Sequence, residues 1–169
     1  MSNKKYLIID SGFFIALGNA KDQHHEKALK ILDTLPKRQW ITTWPVLTEV
    51  CHLLLNVAPD KIFPFLKNLE NGAFTVFSIA ETDYLTLSTL MFQYRELPMD
   101  LADASLVLLA NHLKHGDILS TDRRDFKTYQ WKNHLPFNNL FDQFVVTEIN
   151  LLDSVGAIPT REALAVLLG

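Results

Sequence analysis

Short runs that are apolar on both faces, separated by helix-period segments, constrain this chain more than any other feature. Tyr6-Leu7-Ile8-Ile9 is β-compatible and lacks a polar side, as expected of a strand covered on both faces of a parallel sheet. Gln39-Trp40-Ile41-Thr42, Phe74-Thr75-Val76-Phe77 and Ile118-Leu119 read as further strands. A helix is expected from about His24 to Thr34, capped by Asp22, with Ala28, Leu29, Ile31, Leu32 and Leu35 on its buried side. Pro45 opens a second over Val46 to Leu55, and Pro59-Asp60 starts a third that stops near Asn71-Gly72. Glu81 to Tyr94 is a fourth, with Leu85, Leu87, Leu90 and Met91 spaced for a core face and Pro98 breaking it. Leu101 to His115 is apolar nearly all round, which predicts deep burial, and Gly116 ends it. This alternation predicts an α/β fold with a mainly parallel sheet.

Four acids interrupt the apolar frame. Asp10 ends the first strand and Asp122 follows Ile118-Leu119-Ser120-Thr121. Glu49 lies on a helical stripe with Val46, Val50 and Leu53, and Asp103 shares a face with Met99, Leu106 and Val107. Buried carboxylates need a partner or a metal. In open α/β sheets, ligands gather beyond the carboxyl ends of the strands, where Asp10 and Asp122 are expected. Four converging carboxylates repel, and a divalent cation removes the conflict. Oxygen-only ligation suits Mg²⁺ or Mn²⁺ better than zinc. Such ions activate water and stabilise charge on phosphoryl groups, which makes metal-dependent phosphodiester hydrolysis the leading chemistry.

The totals agree with one soluble domain. At 169 residues and 48% apolar content a full core is within reach. The single cysteine, Cys51, rules out an internal disulfide and fits a reducing compartment. With no signal-peptide pattern at the start and no apolar stretch approaching a membrane span, the cytoplasm is the default expectation. A net charge of −3 neither indicates nor excludes nucleic-acid binding. The six histidines form no zinc signature.

Four segments together carry a family resemblance. They are Ile8-Ile9-Asp10-Ser11-Gly12, Leu47-Thr48-Glu49-Val50, Leu97 to Leu106 with Asp100 and Asp103, and Leu119-Ser120-Thr121-Asp122-Arg123-Arg124-Asp125-Phe126. In order and spacing they resemble PIN-domain ribonucleases, the VapC-like toxins of type II toxin–antitoxin pairs, over about residues 6 to 130. The resemblance implies a three-layer α/β/α sandwich with a mainly parallel central sheet. It also implies an acidic pocket of Asp10, Glu49, Asp103 and Asp122, a bound Mg²⁺ or Mn²⁺, and endoribonuclease activity on RNA. Ser120 replaces the usual threonine of the last motif and keeps the hydroxyl. Ser11, Asp100, Ser120 and Asp125 are candidates for a supporting shell. A cognate antitoxin is the implied protein partner.

Simpler roles compete at several positions. Asp100 reads as a helix cap. Asp125 can pair with Arg123 or Arg124. Arg123, Arg124, Lys127 and Lys132, with Tyr129 and Trp131 among them, read either as a solvated loop or as a rim for phosphates and unstacked bases. Cys51 reads as a small apolar residue. Trp44, Phe63 and Phe65 offer more apolar surface than one sheet face covers, which predicts self-association as a homodimer.

A PIN-like domain over 1–140 and a C-terminal extension over 141–169 are expected, with a strand at Phe144-Val145-Val146 and a helix from Thr160 to Leu168. Asp142, Glu148 and Asp153 read as solvated. Other classes fit less well. A phosphoacceptor domain needs an Asp ending the third strand, and Phe77-Ser78-Ile79-Ala80 has none. An aspartyl phosphatase needs an Asp at position 12, which is Gly12. The alternative function is a catalytically silent PIN-fold protein that binds RNA or protein.

Overall fold

The computed structural model describes residues 5–97 and 99–144. Its centre is a five-stranded sheet built from β1 (Tyr6–Ile9), β2 (Gln39–Thr43), β3 (Phe74–Phe77), β4 (Asp117–Leu119) and, at the far edge, Asn138–Asn139. The spatial order is β3, β2, β1, β4 and then the Asn138–Asn139 strand, and every neighbouring pair is parallel. The chain builds outward from β1 in one direction and then returns to lay β4 on its other side. The switch point of the sheet therefore lies between β1 and β4, where Ile9 sits opposite Leu119.

Helices α1 (Ser11–Gly18) and α2 (His25–Thr34) follow β1, α3 (Trp44–Val57) and α4 (Ile62–Glu70) follow β2, and α5 (Tyr84–Gln93) and α6 (Leu101–Leu113) follow β3. Side chains alternate across a strand, so β2 shows which helix covers which face. Trp40 meets Phe13 and Phe14 of α1 at 5.8 and 6.2 Å between ring centroids. Thr43, of opposite parity, shares a 2.6 Å hydrogen bond with Ser105 of α6. Helices α1 and α6 thus lie on opposite faces, which makes the three layers of an α/β/α sandwich. Phe14, Phe65 and Phe74 complete an aromatic cluster on the α1 face. The α6 side is packed by the unbroken buried run from Ala104 to Ala110.

Several expectations change. Helix α1 was not anticipated from the sequence. Phe65 is fully buried in the aromatic cluster rather than surface-forming, while Trp44 and Phe63 are 57% and 79% exposed. Leu85 is 78% exposed, not part of the core face that Leu87 and Leu90 make. Lys114, at φ 61°, takes the left-handed turn that closes α6, ahead of Gly116. Asp22 accepts from the His24 N–H just outside α2 instead of capping it.

Past β4 the chain forms α7 (Asp125–Thr128) and a small antiparallel pair, β5 (Gln130–Trp131) with β6 (Leu135–Pro136). It then forms the sheet-edge strand β7 (Asn138–Asn139) and the short helix α8 (Leu140–Gln143). The strand expected at Phe144-Val145-Val146 and the helix from Thr160 to Leu168 lie outside the described residues, apart from Phe144. The division expected between residues 140 and 141 concerns an extension of which only 141–144 are described. No helix among the described residues is long and apolar enough to cross a membrane.

Candidate active site

Parallel pairing delivers Asp10 to the centre of the carboxyl edge. Its N–H continues the ladder to the Leu119 carbonyl at 3.1 Å, and its side chain starts α1 as the N-cap. Asp10 is 6% exposed. Its Oδ1 accepts from the Ser11 N–H at 2.7 Å and from the Ser11 hydroxyl at 3.4 Å. Its Oδ2 accepts from the Ser120 hydroxyl at 2.6 Å. Ser120 is itself fixed by Asn139, whose amide oxygen accepts from the Ser120 N–H at 3.2 Å and whose Nδ2 donates to the Ser120 carbonyl at 2.9 Å. Gly12 completes the seam: a Cβ there would collide with the Thr121 side chain.

Asp103 approaches from the first turn of α6. Asp100 caps that helix by accepting from the Asp103 N–H at 2.9 Å. The Asp103 Oδ2 accepts from the Tyr129 hydroxyl at 3.0 Å. Tyr129 is fully buried, so it offers no stacking face to a base, contrary to the rim reading. Glu49 is half-buried and lines a groove of about 630 Å³ with Trp44, Thr48, His52, Asp100 and Leu101. Asp122 is exposed, not in an apolar setting, and its Oδ1 caps α7 by accepting from the Asp125 N–H at 3.0 Å. It lines a separate hollow with His24, Thr121, Arg123 and Arg124.

The electrostatics tie these positions together. Burial pushes the Asp10 carboxyl up to about 6; the hydrogen bonds from Ser120 and Ser11 oppose the shift, and the charges of Glu49 and Asp122 add to it. Burial likewise raises Asp103 to about 7, with Asp100, Asp10 and Asp125 pushing the same way and the Tyr129 hydrogen bond resisting. Both groups are unwilling anions near neutral pH. Asp10 thus interacts with Glu49, Asp122 and Asp103, although Glu49 and Asp122 face different hollows.

The basic rim is largely paired. Arg124 bonds Asp125 at 2.9 Å, Arg123 pairs with Asp142, and Lys127 lies 4.0 Å from the same carboxylate. Asp142 is therefore a half-buried ion-pair partner rather than a solvated acid. The sequence reading places Tyr129 on the rim instead of against Asp103 and misses Asn139, since both contacts depend on the tertiary fold.

The donor set fits a hard divalent cation in kind: carboxylate oxygens, mutually repelling, with no cation bonded to Asp10 or Asp103 in the contacts above. Among the described residues, no three His, Cys, Asp or Glu side chains gather closely enough to ligate one ion as they stand.

No family model matches the chain. It is 24% identical over 121 residues to ribonuclease VapC26 of Mycobacterium tuberculosis, covering 71% of this chain and 89% of that protein. In three dimensions it matches the crystal structure of Mycobacterium tuberculosis VapC20, described as a sarcin-ricin loop cleaving toxin. The TM-score is 0.62 at 18% identity, over 70% of this chain and 91% of the toxin. The fold is that of the VapC-like PIN domains. The strand order, with β1 beside β4, sets Asp10 at the carboxyl edge of the sheet, within electrostatic reach of Asp103.

Proposed function

We propose that this PIN-fold chain is a metal-dependent endoribonuclease that hydrolyses RNA phosphodiester bonds as the toxin of a toxin–antitoxin pair. The observation that carries the reading is the pair Asp10 and Asp103. Asp10 is buried and Asp103 half-buried, both with raised proton affinity at the carboxyl edge of a parallel sheet, each held by a neutral hydroxyl. Likeness to a ribonuclease and to an RNA-cleaving toxin supports the substrate class.

Asp10 and Asp103 would hold a Mg²⁺ or Mn²⁺ ion, with Glu49 and Asp122 contributing charge beside them. When bound, the ion supplies Lewis-acid activation of water and neutralises charge on the scissile phosphate. Ser11 and Ser120 orient the Asp10 carboxylate, and Asp100 fixes the turn that carries Asp103. Burial raises the proton affinity of Asp10 and Asp103, so it is their deprotonated forms that would hold a cation. Asp125 serves mainly to anchor Arg124 and start α7. A cytoplasmic location, an antitoxin partner and a homodimer complete the proposal. The dimer is supported by the exposed Trp44 and Phe63.

A second reading, a catalytically silent PIN-fold binding protein, is favoured by the absence of a closed three-ligand cluster among the described residues. Digestion of an RNA panel with and without Mg²⁺ or Mn²⁺, beside an Asp103→Asn control, separates the two. Metal-dependent cleavage lost in the variant supports the nuclease. RNA binding without cleavage in any metal supports the silent protein.

A further inference from the structure

One short segment supplies a hydroxyl to each of the two central acids. Ser120, at its start, donates to Asp10, and Tyr129, at its end, donates to Asp103. Between them α7 is pinned at both ends, by Asp122 capping the Asp125 N–H and by the Tyr129 N–H donating to the Asp125 carbonyl at 2.9 Å. The Tyr129 ring is clamped by Tyr94 and Phe126, with centroids 5.1 and 5.5 Å away in edge-on geometry. The Tyr94 hydroxyl in turn accepts from the Gln130 N–H at 3.0 Å. A fully buried phenol held this firmly presents its oxygen in one place.

The chemistry of the donor matters. A lysine or arginine on Asp103 would fix the carboxylate and also cancel the charge a cation needs. A phenol fixes rotation and leaves the negative charge in place. Partners of this kind orient ligating carboxylates in metal sites.

Resting on the metal-dependent reading above, we propose that Tyr129 is a positioning residue that holds the Asp103 carboxylate ready to ligate the divalent ion.

The test is Tyr129→Phe, which keeps the ring and removes one oxygen. Mn²⁺ affinity is measured by calorimetry on purified protein for wild type, Tyr129→Phe, Asp103→Asn and Phe126→Leu. The last disturbs the ring clamp and retains the phenol. Melting temperatures are taken in EDTA, and kcat and KM for RNA are measured at fixed Mn²⁺. The expected result is a loss of Mn²⁺ affinity of about 10-fold or more in Tyr129→Phe, lower kcat with little change in KM, and a smaller affinity loss in Phe126→Leu. Wild-type affinity and kcat in Tyr129→Phe overturn the positioning role and leave the nuclease reading standing. An affinity loss in Phe126→Leu equal to that in Tyr129→Phe also overturns it, since packing then explains the effect. Wild-type protein that binds Mn²⁺ no better than Asp103→Asn overturns the metal site itself, and the proposal with it.

Discussion

Asp10 and Asp103 place opposing demands on the molecule: burial by the fold and charge by the chemistry. The pH dependence follows with a definite sign. Both carboxyls have folded values raised above 3.8, to about 6 and about 7. The folded state therefore binds more protons than the unfolded state between about pH 4 and 7, and stability without metal falls as pH rises through that window. Asp103→Asn removes part of the penalty. In EDTA its unfolding free energy should match wild type near pH 4 and exceed it above pH 7 by about 1–3 kcal/mol after allowing for the partial exposure of Asp103, read as a higher melting temperature. Equal melting at every pH would show that Asp103 is not strained. Cleavage by the same variant should fall roughly 100-fold or more, the scale of lost transition-state charge stabilisation. Asp10, Asp103 and Ser120 were legible in the sequence because each breaks a local apolar pattern or sits in a motif. Tyr129 was not. It lies beside a charged, solvent-like stretch, and its ring is packed by Tyr94 on a distant part of the chain as well as by the nearby Phe126. Asp122 differs from the expected apolar setting: its apolar neighbours belong to β4, while its own exposed carboxylate accepts from the Asp125 N–H.

Among the elements, the strands were legible and one helix was not. Tyr6–Ile9 matches the sequence reading because a strand covered on both faces leaves a contiguous apolar signature, and the partly buried edge strand Phe74–Phe77 matches it through its aromatic and β-branched residues. Helix α1 hid for the related reason that Ser11-Gly12-Phe13-Phe14-Ile15-Ala16-Leu17-Gly18 is buried on nearly every side, so it carries no amphipathic period. Leu85 was misassigned because two residues along a helix turn about 200°, so it cannot share a face with Leu87. The β1–α1 and β4–α7 junctions meet at Gly12 and Thr121. Gly12→Ala should force them apart, costing about 1–3 kcal/mol as overpacking. Because the same seam aligns Ser120 with Asp10, cleavage should drop along with the melting temperature. A stable and fully active Gly12→Ala protein would show that the contact is slack.

At the scale of the whole molecule, exposed apolar side chains are concentrated on α3, α4 and α5, including Trp44, Leu55, Phe63, Leu85 and Phe92. Exposed apolar side chains of this kind support the proposed self-association. Sedimentation velocity should show a concentration-dependent dimer that Phe63→Asp weakens. A monomer at every concentration would remove self-association from the proposal. The sheet order carries one more consequence. Ser120 bonds an aspartate 110 positions earlier in the chain, and Tyr129 comes later still. Contacts this distant in sequence form late and slowly. During synthesis, Asp10, Glu49 and Asp103 all leave the ribosome before either β4 or the two hydroxyls that set the acids in place. On the proposed nuclease reading, a nascent chain is therefore inert toward the RNA around it until β4 and the two hydroxyls have been made, and a product truncated before β4 would carry Asp10, Glu49 and Asp103 without the groups that set Asp10 and Asp103 in place.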